Sequence, residues 1–270
     1  MSNSYQVSDL SHWQAARHAE LSAADSWLGL VGLFWLEDGL NAVGSAENSV
    51  VCLPAGPAFA GSVRVEGTRV VWQAVGQKEL ELETDRNGTP AAVHIEKLAF
   101  FIVEREGRLA ARVRDLAWAS RQAFAGLEYF PEDAAWVYEA DWAELSPPLT
   151  MEVPNVTGEL KAVEVRHKAV FTVDGQLVEL LPMSESDKEV FFVFRDRTSG
   201  KESYGAGRFL KALPAENGRI VLDFNRVYNP PCAFTPFATC PLPPPENRLD
   251  LRVEAGEKAY RKPAAPAKDA

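Results

Sequence analysis

Residues 169–181 read AVFTVDGQLVELL. Two alternating runs rich in β-branched and aromatic residues flank Asp174-Gly175. A period of two puts successive side chains on opposite faces of a strand, and Asp-Gly is a pair that the type I′ hairpin turn prefers. The stretch predicts an antiparallel hairpin, and its neighbours repeat the pattern. VRVEGTRVVWQAV (63–75) reads as two strands around Gly67, and KELELET (78–84) alternates before the turn DRNGT (85–89). LAFFIVEREGRLAARVRD (98–115) is a hairpin around Glu106-Gly107. EVFFVFRD (189–196), GRIVLDF (218–224) and NRLDLRVEA (247–255) complete the set. Short strands at regular spacing, with no long helical pattern between them, predict a mainly β protein. Its modules are antiparallel and sandwich-like or barrel-like.

One helix is expected, at the start. Ser8 is placed to cap a helix from Asp9 to about Leu21, with Leu10, Trp13 and Ala16 on one face. SWLGLVGLFWLEDG (26–39) follows as a short buried element ended by Gly39. Alternation stops near residues 118–130. The expected organisation is therefore a helix and buried connector over 1–38, a first β module over 39–120, a second over 121–255, and a disordered, solvated tail over 256–270.

Composition narrows the function classes. The chain has 270 residues, 46% of them hydrophobic and 24% charged, with a formal net charge of -10. A chain of this size buries roughly 75% of its unfolded surface and needs no covalent staples. The acidic balance argues against nucleic acid and against an anionic membrane surface as partners. No run of about 18 apolar residues occurs, and the first residues lack the basic and apolar regions of a secretory signal. The expected compartment is the cytoplasm, with Cys52, Cys232 and Cys240 reduced.

Standard catalytic motifs fail one by one. His12, His18, His94 and His167 form no HExxH, and Cys232 and Cys240 lack zinc-ligand spacing, so no metal or cofactor is expected. The two thiols still have room to meet across a loop, as a disulfide or as a thiol pair. GKESYG (200–205) is one residue off the nucleophile elbow and lies between strands. GAGRFL (205–210) breaks the dinucleotide fingerprint at Leu210.

Two segments remain. Around Gly205 and Gly207, Lys201, Tyr204 and Arg208 form a turn suited to a carboxylate or phosphate. DFNRVYNPPCAFTPFATCPLPPPENRLD (223–250) has no charge between Arg226 and Glu246. Its prolines preset φ and remove N–H donors, and its aromatics supply buried area, so an ordered irregular loop is expected. Asp223 and Asn225 share a face at its start, and Tyr228 and Asn229 follow. The expectation is a small polar or anionic ligand between the turn at 201–208 and the loop at 223–247. Its candidate contacts are Lys201, Tyr204, Arg208, Asp223, Asn225, Tyr228 and Asn229. The alternatives are a hydrolase- or isomerase-type enzyme with Asp223 as general base and a protein-interaction module.

FRDRTSGKESYGAGRFL (194–210), VLDFNRVYNPPCAFTPFATCPLPPPENRL (221–249) and AGEK (255–258) together resemble a family of domains of unknown function, number 1684. GLFWLEDGLNAVGS (32–45), RVRD (112–115) and FAGLEYFP (124–131) extend the resemblance over about residues 10–258. It implies a soluble bacterial-type β protein and no activity.

Overall fold

The computed structural model describes residues 10–120 and 124–262. The protein is mainly β, with several antiparallel sheets and a short N-terminal helix, α1 (Leu10–Ser22). Ser8 and Asp9, the expected cap and first residue of that helix, lie outside the described residues. The chain divides into two compact units. Among the described residues, the first comprises 21–120 and 124, and the second comprises the helix residues up to Glu20 together with 125–262.

The first unit holds two sheets. The strands are β1 (Leu30–Trp35), β2 (Gly39–Gly44), β3 (Val51–Cys52), β4 (Gly61–Glu66), β5 (Arg69–Ala74), β6 (Leu80–Leu82), β7 (Val93–Ile95), β8 (Leu98–Arg105) and β9 (Arg108–Asp115). One sheet runs β1-β9-β8-β7 and the other β3-β2-β4-β5-β6. All pairs are antiparallel except β2 with β3. Val43, Val63, Trp72, Phe100 and Ile102 from both sheets share one core. The Trp72 and Phe100 rings meet edge to face at 5.2 Å, a favoured aromatic geometry.

The second unit is built on the hairpin that residues 169–181 predicted. Its strands are β10 (Val137–Pro154), β11 (Leu160–Val173), β12 (Gln176–Leu180), β13 (Ser184–Glu185), β14 (Val190–Phe194), β15 (Arg208–Ala212) and β16 (Arg219–Asp223). Val173 pairs with Gln176 across the turn, and Asp174 and Gly175 both take positive φ, 49° and 81°, as a type I′ turn requires. The sheets run β12-β11-β10-β16 and β13-β14-β15. Phe171, Phe192, Phe194, Leu210, Leu222 and Phe224 form their common core.

Three expectations change. The 18-residue strand β10 was not read from the sequence. It carries Pro147 and Pro148, and its register against β11 shifts between Glu144 and Leu149. An irregularity of this kind is where a strand tolerates proline. Conversely, residues 247–255 form no strand. Their backbone is held by a parallel chain segment and by side chains instead. Arg195 N–H donates to Asn247 O (3.0 Å), Leu249 N–H to Arg195 O (2.7 Å) and Arg197 N–H to Leu251 O (2.8 Å). The period-two pattern reported real burial of Leu249 and Val253 without a ladder to go with it. The expected tail also starts later than residue 256, because Gly256 and Glu257 are buried; its last part, 263–270, lies outside the described residues.

Candidate functional site

Asp196, two residues beyond the end of β14, and Arg208 at the start of β15 have fully buried side chains, with Arg208 Nη2 3.2 Å from Asp196 Oδ1. Arg208 donates to Val253 O (2.8 Å) and Ala255 O (2.7 Å). Asp196 Oδ2 accepts from Val253 N–H at 2.8 Å. Burial lowers the Arg208 pKa and Asp196 opposes that shift. The pair thus fixes the backbone of 253–255, and satisfies carbonyls that an irregular buried segment leaves without ladder partners.

Gly256 comes next. Its φ is +75°, and a Cβ there would stand 2.3 Å from Val227 O, so only glycine fits this approach. The turn delivers Glu257 to the interior, where its side chain is 0% exposed. Glu257 Oε2 accepts the Asn229 N–H at 2.7 Å, and Oε1 accepts Arg17 Nε–H at 2.9 Å. Burial pushes the Glu257 carboxyl up, and Arg17 and Asn229 pull against that shift without cancelling it. Arg17 lies over the Tyr228 ring, 4.9 Å from its centroid, and its Nη1 is 2.7 Å from Glu20.

Tyr129 faces Glu257 through an antiparallel bridge. Asn229 spends its Nδ2 on Lys258 O at 2.7 Å. Tyr129 Oη and Asn229 Oδ1 are buried without a hydrogen-bond partner among the described residues. Burial, with Glu257 adding to it, raises the Tyr129 pKa, and burial raises that of Tyr228.

The residues expected from the sequence fall into separate places. Tyr228 and Asn229 border Glu257. Arg208 stands behind it, and its guanidinium is committed to Asp196 and backbone carbonyls rather than open to an anion. Lys201 is exposed. Tyr204 Oη donates to Cys232 O at 2.9 Å. Gly207 lies directly against Pro243, 2.6 Å from where a Cβ would be, so turn and loop are in contact at this point. Asp223 accepts from Asn225 N–H (3.1 Å) and pairs with Arg226 Nε (3.1 Å). Asn225 exchanges two hydrogen bonds with the Asp133 backbone. Asp223 and Asn225 therefore brace the start of the loop. Both Asp223 oxygens are engaged by residues of the loop itself.

Glu257, Arg17, Tyr129 and Asp196 are not among the residues that the sequence marks out. Three lie in stretches that carried the family resemblance: FRDRTSG, FAGLEYFP and AGEK. A lone acid between Gly256 and Lys258 reads as a solvated charge unless the glycine is recognised as a turn into the core. Nothing in the spacing of Arg17, 240 residues away from Glu257, links the two.

Cys232 N–H donates to Cys240 Sγ at 3.3 Å, and neither cysteine is in a disulfide. In the first unit, an open groove of about 490 Å³ is lined by Phe59, Trp72, Val75, Leu80, Val93 and Ile95. Among the described residues, no group of three or more His, Cys, Asp or Glu side chains is arranged to hold a metal. No helix among them is long and apolar enough to cross a membrane.

A solved structure similar to this chain is the solution NMR structure of an uncharacterized protein from gene locus rrnAC0354 of Haloarcula marismortui. It is 31% identical over 50% of this chain and 77% of that one, with a TM-score of 0.42. No curated protein matches. The model of a family described as proteins of unknown function (DUF1684) matches residues 122–258. That span is half of the chain and contains the Asp196–Arg208 pair, the proline-rich loop and Glu257, whereas residues 32–45 and 112–115 lie outside it. The chain belongs to the DUF1684 family of proteins of unknown function.

Proposed function

We propose that the second unit binds a small polar molecule beside Glu257, with Tyr129, Tyr228, Asn229 and Arg17 as its contacts. The observation that carries this reading is the pair of buried oxygens without partners, Asn229 Oδ1 and Tyr129 Oη. A buried polar atom left unpaired costs about 1–3 kcal/mol, and a ligand hydroxyl or amide would recover that cost. Arg208, Asp223 and Asn225 act as the frame, and Tyr204 holds the loop. A neutral ligand fits better than an anion, because the Arg17 charge is already matched by Glu257 and Glu20.

The test uses Tyr129→Phe, which removes only the unpartnered hydroxyl. The variant is expected to fold with unchanged or higher Tm. It is expected to lose the Tm rise that wild type shows with the best compound from a panel of polyols, sugars and primary amides. Native mass spectrometry of freshly purified protein checks for a retained ligand. A bare mass, with no compound shifting Tm, would assign the two oxygens to buried water and overturn the reading.

An enzymatic reading has one observation in its favour, a fully buried carboxyl at Glu257 near two unpartnered polar oxygens. A carboxyl held above its usual range by burial is suited to donate a proton. On this reading the acid is Glu257 rather than Asp223. Turnover on a substrate panel would survive Asp223→Asn and fall in Glu257→Gln.

A further inference from the structure

The proline-rich loop brings two thiols together. Cys240 Sγ accepts the Cys232 N–H at 3.3 Å. The contact does not depend on chance approach of a flexible chain, because each cysteine is tied down by its own backbone. The Cys232 carbonyl accepts the Tyr204 hydroxyl at 2.9 Å. Ala233 N–H and Phe234 N–H close a 3-10 turn onto Pro230 O and Pro231 O. The Cys240 carbonyl accepts Val156 N–H at 3.0 Å, and two residues on Leu242 N–H donates to Pro154 O at 2.7 Å.

The two sulfurs differ in access. Cys232 is half-buried, whereas the Cys240 residue is 5% exposed. That difference suits an attacking thiol that an oxidant reaches and a resolving thiol that it does not. Cys240 and the Tyr204 hydroxyl also pull the Cys232 pKa below the usual thiol value, against the effect of burial.

We propose that Cys232 and Cys240 are a peroxide-reactive redox pair, in which Cys232 is oxidised first and Cys240 closes a disulfide across the loop. The Cys232 thiolate attacks one peroxide oxygen, the O–O bond breaks, and the other oxygen leaves as an alkoxide or hydroxide that takes up a proton. Cys232 becomes a sulfenic acid. Cys240 sulfur then attacks Cys232 sulfur, the S–O bond breaks, and water departs with the thiol proton. Two thiols lose two electrons and the peroxide is reduced by two. A low-molecular-weight thiol returns the pair to the dithiol by exchange. This site is independent of the ligand reading at Glu257.

The experiment treats the reduced full-length protein with hydrogen peroxide and maps the peptides without reduction. The expected product is an intramolecular link between the 232 and 240 peptides, lighter by about 2 Da and reversed by dithiothreitol. Cys52 is the internal control, and it is expected to oxidise about tenfold more slowly. In Cys240→Ser, dimedone is expected to trap a sulfenic acid on Cys232. If that variant fails to fold, the wild-type link and the Cys232-to-Cys52 rate ratio decide alone. Three outcomes each overturn the proposal: overoxidation of Cys232 without a link, a link only between molecules, or Cys52 reacting as fast as Cys232.

Discussion

Arg17 on the N-terminal helix and Glu257 near the far end of the described chain meet at 2.9 Å, Nε to Oε1, across 240 positions of sequence. Glu257 is fully buried and the Arg17 side chain is 12% exposed. Breaking a buried ion pair by removing one partner costs about 3–5 kcal/mol, because the remaining charge loses its compensation. Arg17→Ala is expected to sit near the lower end, since Arg17 keeps some contact with water. The double variant Arg17→Ala/Glu257→Gln is expected to cost less than the sum of the singles, with a coupling of about 1–3 kcal/mol by urea denaturation. Additive costs would mean that the pair carries no interaction of its own.

The same carboxyl sets a pH dependence. Burial raises the Glu257 pKa above the ordinary value of 4.5, so the folded protein binds this proton more tightly than the unfolded chain does. The resulting stabilisation is full below about pH 4.5 and is lost as pH rises through the raised folded value. Glu257→Gln removes the titrating group. The stability of wild type relative to Glu257→Gln is therefore expected to decline as pH rises above about 4.5 in denaturant titrations. A difference that is constant, or that grows with pH, would contradict the assignment.

How far the sequence was readable depends on what kind of contact made each element. Hairpins closed by local turns were plain, as at Asp174-Gly175, because period and turn chemistry sit within a dozen residues. Strand β10 was hidden, because prolines and charges masked a strand paired on both sides by distant partners, β11 and β16. The surroundings of Glu257 are half legible. Tyr228 and Asn229, which border it, stand out through the composition of the loop around them. Glu257 reads as part of a solvated tail, because its burial depends on Arg17 and on a glycine turn whose meaning lies in Val227, far from it in sequence. Arg208 stands out in the sequence, but the groups it contacts do not. A guanidinium among glycines reads as an anion site, but here the acceptors are backbone carbonyls that no side-chain pattern reports.

Arg208→Met is expected to be severely destabilising, by about 3–5 kcal/mol. It leaves Asp196 buried without its cation and the carbonyls of Val253 and Ala255 without donors. Arg208→Lys is expected to recover little, because a single ammonium does not reproduce a planar fork that reaches both carbonyls and the carboxylate. Limited proteolysis should show cleavage within residues 247–258 before the rest of the second unit. Full recovery by lysine would show that charge alone, not fork geometry, holds the segment.

Gly256 and Gly218 offer a paired test of how Glu257 is delivered. Their φ angles are nearly equal, +75° and +73°. A Cβ on Gly218 meets nothing within 4 Å, whereas one on Gly256 meets Val227 O at 2.3 Å and Phe224 O at 3.0 Å. Gly218→Ala therefore carries only the left-handed backbone penalty, about 1–2 kcal/mol. Gly256→Ala carries that penalty plus a clash with backbone that cannot rotate away, and it is expected to cost at least about 1 kcal/mol more. Because the clash is with Val227, two residues before Asn229, relief of the strain displaces the loop that donates to Glu257. Gly256→Ala should thus also weaken the Arg17–Glu257 coupling measured by the double-variant cycle, and Gly218→Ala should leave it unchanged. Equal costs for the two glycines, with coupling intact in both, would show that Glu257 reaches the interior without needing the close turn at Gly256.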